Sequence, residues 1–92
     1  MPVLLIRQTV ADFATWRAVF AEQAELRRAN GAGGERLFHT GDAGEVVALL
    51  EWDDLERARL FADSDDWREA MTRAGVTSEP DCWFLEDAPL LA

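Results

Sequence analysis

At 92 residues with 49% apolar residues, the chain is sized for one small domain and is too apolar to be disordered, despite a net charge of −9. Its 18 acids face nine arginines and no lysine, a balance that repels nucleic acid and anionic membrane surfaces. With no apolar run near the roughly 20 residues of a membrane span, no signal peptide ahead of the first strand, and Cys82 as the single cysteine, the expectation is one cytoplasmic domain over residues 1–92, with neither nucleic acid nor membrane as partner.

Val3-Leu4-Leu5-Ile6 opens a first strand, expected to run to about Thr9. Asp12 stands where an N-cap belongs, and a long helix is predicted from there to about Asn30. Phe13, Trp16, Val19 and Phe20 recur at helical spacing, with Glu22, Glu25, Arg27 and Arg28 expected toward solvent. Gly31 ends the helix as a residue free to adopt positive φ. A second strand is predicted over about Glu35 to Thr40, and Gly41-Asp42-Ala43-Gly44 is read as the turn of a hairpin. If Asp42 and Ala43 are the turn residues, Phe38 pairs with Val47 and His39 with Val46. Leu37, His39, Val46, Ala48, Leu50 and Trp52 then share one face, with Arg36, Phe38, Val47, Leu49 and Glu51 on the other.

Asp53 and Glu56 have the spacing of a capping box for a second helix to about Ala62. Asp63-Ser64-Asp65-Asp66 interrupts it, and Ser64 or Asp65 caps a further piece with Trp67, Ala70, Met71 and Ala74 inward. Gly75 stops that piece, Pro80 precedes a last strand over about Asp81 to Glu86, and the apolar tail to Ala92 is expected to pack on something.

The order β-α-β-β-α-β defines an α+β, ferredoxin-like domain: a four-stranded antiparallel sheet with both helices on one face. The strands, however, are apolar on both faces: Val46-Val47-Ala48-Leu49-Leu50 and Cys82-Trp83-Phe84-Leu85 do not alternate. Helices cover one face only, so the other requires a partner, most economically a second copy stacked sheet to sheet.

Phe13-x-x-Trp16-x-x-x-Phe20, Arg27-Arg28-Ala29-x-Gly31, the run from Glu45 to Glu56, the run from Arg68 to Val76, and Trp83-Phe84-Leu85-Glu86 together resemble the dimeric α+β barrel superfamily. The similarity is to its small bacterial cyclase and antibiotic-biosynthesis-monooxygenase-like branch. The resemblance implies a homodimer with a pocket between sheet and helices in each protomer. It also implies a cofactor-independent oxygenase or cyclase acting on an aromatic polyketide-type metabolite, or a non-catalytic binder with the same pocket. Gln23 stands where the first helix of that branch often carries a histidine.

His39, the only histidine, is the candidate general base, and Gln23 the second catalytic candidate. Trp16, Phe20, Trp67 and Met71 are the expected walls of a pocket for a small aromatic or apolar ligand, with Arg7 as a clamp for a ligand oxygen or a partner for Glu51. Trp52 and Trp83 read as core or interface, and Cys82 as an inert buried thiol. Neither metal nor cofactor is expected. One His and one Cys on different strands give no ligand spacing, the acids at 63–66 fit helix capping better than calcium, and the glycines at 31–34 follow a helix instead of leading into one.

Overall fold

The computed structural model describes residues 1–40 and 44–89. The elements are β1 (Val3–Thr9), α1 (Phe13–Glu22), α2 (Ala24–Ala29), β2 (Ala32–His39), β3 (Glu45–Trp52), α3 (Leu55–Ala62), α4 (Asp65–Arg73) and β4 (Asp81–Leu85). The strands form one antiparallel sheet in the order β2-β3-β1-β4, the ferredoxin-like arrangement expected.

Alternation along each strand sorts the chain into two sides. Leu4, Ile6 and Gln8 of β1 and Val46, Ala48, Leu50 and Trp52 of β3 are buried under the helices, against Trp16, Val19, Phe20, Ala58, Phe61, Trp67, Ala70 and Met71. The opposite side carries Val3, Leu5, Val47 and Leu49, half-buried, and Phe38, Trp83 and Leu85, each more than 40% exposed. Phe38 pairs with Val47 and His39 with Val46, as expected. The turn itself lies outside the described residues, as does the tail beyond Pro89.

Four local expectations are corrected. The first helix is not continuous to Asn30 but breaks at Gln23, whose N–H bonds back to the carbonyl of Phe20. The Arg27 guanidinium donates to that same carbonyl at 2.7 Å, so a side chain occupies the acceptor where the helical ladder would continue. Arg27, expected toward solvent, is instead fully buried, stacked 3.7 Å over the Phe20 ring and ion-paired at 2.9 Å with Glu35 of β2. Burial pulls the guanidinium below its ordinary range, opposed by Glu35.

Second, β2 begins at Ala32, with an irregularity in its pairing to β3 between Ala32 and Glu35, where Gly33 and Gly34 lie. Third, α3 is capped by Asp54, whose carboxylate accepts from the Glu56 N–H at 2.8 Å. Asp53 instead donates its N–H to the Gly31 carbonyl. Fourth, Arg7 stands opposite Val47 and Asp81, while Val3 is the residue opposite Glu51, so the alternative of an Arg7–Glu51 pair does not hold. Asp12, Ser64, Gly31 and Gly75 act as read from sequence: two side-chain caps and two positive-φ stops.

Candidate functional site

The chemistry-bearing hollow on the helix side lies between α4, the end of α3 and the β1–β4 half of the sheet. It has a volume of about 480 Å³, within the ordinary range for small-molecule sites. Trp67 and Met71 project into it from α4 because they fall one turn apart on that helix's buried face. Cys82 and Phe84 line it from alternate positions of β4, and Gln8 lines it from β1. The segment Val76–Pro80 forms one wall. It is held to the end of β1 by the Thr77 N–H to the Thr9 carbonyl (2.9 Å), by the Thr9 and Thr77 hydroxyls (3.0 Å), and by the Thr9 N–H to Ser78 Oγ (3.2 Å).

Gln8 is the residue that sequence reading missed. It is only 2% exposed, and its Oε1 accepts a 2.9 Å hydrogen bond from Trp16 Nε1. An indole N–H can only donate, so the amide end facing Trp16 is its oxygen and the other end is NH₂. Among the described residues, that Nε2 has no hydrogen-bond partner. A buried unpaired donor of this kind costs about 1–3 kcal/mol. Trp52 Nε1 is likewise unpartnered but sits in the core against Phe61, away from the hollow. The signal for Gln8 was present in β1, where it shares the parity of Leu4 and Ile6: a polar residue at an inward position.

The remaining ionisable groups sit around the rim. Asp63, Arg68 and Glu79 line the hollow and are exposed. The Cys82 thiol is pushed up by burial first, then by Asp81 and Asp63, which keeps it protonated at neutral pH. Among the described residues no group of His, Cys, Asp and Glu is arranged to hold a metal.

Of the seven site residues expected from sequence, the hollow brings together Trp67 and Met71. Trp16 and Phe20 stack on each other at 4.8 Å in the core, and Phe20 meets the edge of Trp67 at 6.5 Å, so they back the wall without lining it. Gln23 occupies the α1–α2 break. His39 is exposed at the end of β2 against Phe13, its Nδ1 2.9 Å from the Thr40 carbonyl. Arg7 lies on the opposite side of the sheet, bonded to Asp81 at 2.8 Å and 5.7 Å from the Trp83 ring. Odd parity explains it: Arg7 follows Val3 and Leu5, not Gln8.

No protein-family model matches the sequence, and no curated protein matches it. Solved structures do match in fold. The cofactor-independent oxygenase SnoaB from Streptomyces nogalater superposes with a TM-score of 0.72 at 22% identity, covering 99% of this chain and 97% of that one. A monooxygenase from the gene ActVA-Orf6 of Streptomyces coelicolor, in complex with the ligand Nanaomycin D, superposes with a TM-score of 0.68 at 17% identity, covering 99% and 90%. An antibiotic biosynthesis monooxygenase superposes with a TM-score of 0.72 at 15% identity, covering 97% and 100%. The chain has the ferredoxin-like α+β fold seen in these structures.

Proposed function

We propose that the protein binds a small, planar, largely apolar aromatic molecule of the polyketide type in the hollow beside α4, and oxidises it there without a bound cofactor. The observation that carries this reading is the Gln8 amide, kept buried and half-unpaired at a hollow otherwise walled by Trp67, Met71 and Phe84. Flat rings pack well against such walls, and a ligand oxygen would complete the Gln8 amide. The likeness in fold to the cofactor-independent oxygenase SnoaB and to the ActVA-Orf6 monooxygenase supports the class of reaction, and Nanaomycin D is the natural first probe.

Cofactor-free monooxygenation balances when the substrate is its own reductant. It gives two hydrogens, as two protons and two electrons, to one oxygen atom of O₂, which leaves as water, and takes up the other oxygen atom, so the substrate supplies all four electrons. Such a substrate reacts as its phenolate or enolate. The Gln8 NH₂ would stabilise that oxyanion where water is excluded, and a rim carboxylate, Asp63 or Glu79, would take the proton. Oxygen uptake with a panel of planar phenols tests it. Gln8→Leu is expected to lower turnover by about 10²-fold, the order seen when one oxyanion donor is removed.

The second reading, binding without reaction, is favoured by the position of His39, the only histidine, outside the hollow. Saturable binding of Nanaomycin D with no oxygen uptake across the phenol panel would decide for it. In either case the working unit is proposed to be a homodimer joined through the outer sheet side, where Phe38, Trp83 and Leu85 are exposed. Among the described residues, no helix is long and apolar enough to cross a membrane.

A further inference from the structure

Resting on the proposed ligand hollow, we infer that Trp16 is a positioning residue that sets the hydrogen-bond polarity of the site. By donating to Gln8 Oε1 it makes the hollow select ligands that present an acceptor oxygen at their buried end.

A glutamine amide has one accepting and one donating end, and turning it about its last torsion exchanges them at little intrinsic cost. Left alone, Gln8 could offer either end to a ligand. Trp16 removes that choice. Its indole N–H is 2.9 Å from Gln8 Oε1, and with the ring buried no water competes for the bond. Turning the amide would set the indole N–H against NH₂, donor against donor, and leave the oxygen unpaired. Trp16 itself is held by packing. It stacks against Phe20 at 4.8 Å and 15° and against Phe13 at 6.3 Å and 17°, so two ring contacts hold the N–H direction.

The core did not need a glutamine to satisfy the indole. Any acceptor would do, and this one brings an NH₂ that no atom of the described residues accepts from. The surplus is two N–H donors on one nitrogen, a match for a carbonyl, quinone or phenolate oxygen and a mismatch for an N–H or ammonium group. Discrimination of this sort is strong because the wrong ligand leaves buried donors facing each other.

The test uses three planar tricycles of one ring skeleton that differ at a single bridge: 9-fluorenone (C=O), fluorene (CH₂) and carbazole (N–H). Affinities are measured by equilibrium dialysis against the intact protein. Fluorenone is expected to bind about tenfold tighter than fluorene, and carbazole weaker than fluorene, a hydrogen bond to a buried donor being of that order. Trp16→Phe frees the amide to turn, so the fluorenone-to-carbazole ratio is expected to collapse toward unity while fluorene still binds. A general loss of packing would weaken all three alike and leave the ratio unmoved. Gln8→Leu is expected to abolish the ratio as well.

The outcomes separate the two levels. Parent protein that binds fluorene but does not prefer fluorenone to carbazole overturns the polarity inference and spares the ligand hollow. A preference that survives Trp16→Phe overturns the role of Trp16. Failure of all three compounds and of Nanaomycin D to bind overturns the hollow, and the inference falls with it.

Discussion

Gln8 and Trp16 are coupled in stability as well as in ligand choice. In the parent, Gln8→Leu exchanges one orphan for another, because the Trp16 N–H loses its acceptor as the free NH₂ disappears. In a Trp16→Phe background the whole amide is orphaned, and the same Gln8→Leu change is expected to stabilise by about 1–3 kcal/mol. Urea melts of the four corners of this cycle check it, and additivity would contradict the geometry. Asp12 makes a second single-residue prediction. Its carboxylate accepts from both the hydroxyl and the N–H of Thr15, which hold it below the usual aspartate range. A group depressed on folding contributes stability above its unfolded pKa and loses it as pH falls through the folded one. Asp12→Ala should therefore lower the melting temperature at pH 7, with the gap to the parent narrowing in acid. Asp12 was legible from sequence because a cap is a local matter. Gln8 was legible only as a parity violation, and its meaning depended on Trp16 arriving from another element.

Each helix joint rests on an identifiable device. Ser64 Oγ accepts the Trp67 N–H at 3.2 Å and donates to the Phe61 carbonyl at 2.8 Å, so it ties the end of α3 to the start of α4. Ser64→Ala is expected to cost about 1 kcal/mol in thermal or urea unfolding. The α1–α2 joint depends on Arg27 instead. Removing Glu35 leaves a buried guanidinium with the Phe20 carbonyl and ring as its remaining described contacts. A fully buried pair loses roughly 3–5 kcal/mol on such a change. With the Glu35 side chain 36% exposed, Glu35→Ala is expected to cost about 2 kcal/mol. The helices were readable from their periodicity, whereas the break was not. Arg27 lies seven residues after Phe20 and so on the apolar side of an ideal helix; its charge, not its spacing, is what made it read as solvent-facing. Asp53 and Asp54 show the same limit at smaller scale. Adjacent aspartates offer two caps, and tertiary contact chooses: Asp53 is drawn to Gly31 and pairs with Arg57 at 3.5 Å, leaving Asp54 to the helix.

For the molecule as a whole, strand order and pairing were available in the sequence because the apolar runs, the breakers and the hairpin register all agreed. Which inward residue would be polar and half-satisfied was not available, since it depends on how helices settle on the sheet. The outer side, with Leu49 among its central apolar residues, carries the assembly prediction. Leu49→Arg is expected to give a folded monomer by sedimentation where the parent sediments as a dimer, and a parent that is already monomeric at micromolar concentration would refute it. One consequence lies in β4. Cys82 and Trp83 are neighbours in the chain, yet alternation sends one to the hollow and the other to the outer side. Cys82 is also the only thiol of the chain, so a label or disulfide-exchanging fragment placed on it reports from the hollow alone. Trp83 is the one of four tryptophans more than 40% exposed, so the part of the emission that a soluble collisional quencher removes reports from the outer side. Two adjacent residues thus form a pair of independent gauges, and one sample can reveal whether filling the hollow and pairing the protomers occur together or in sequence.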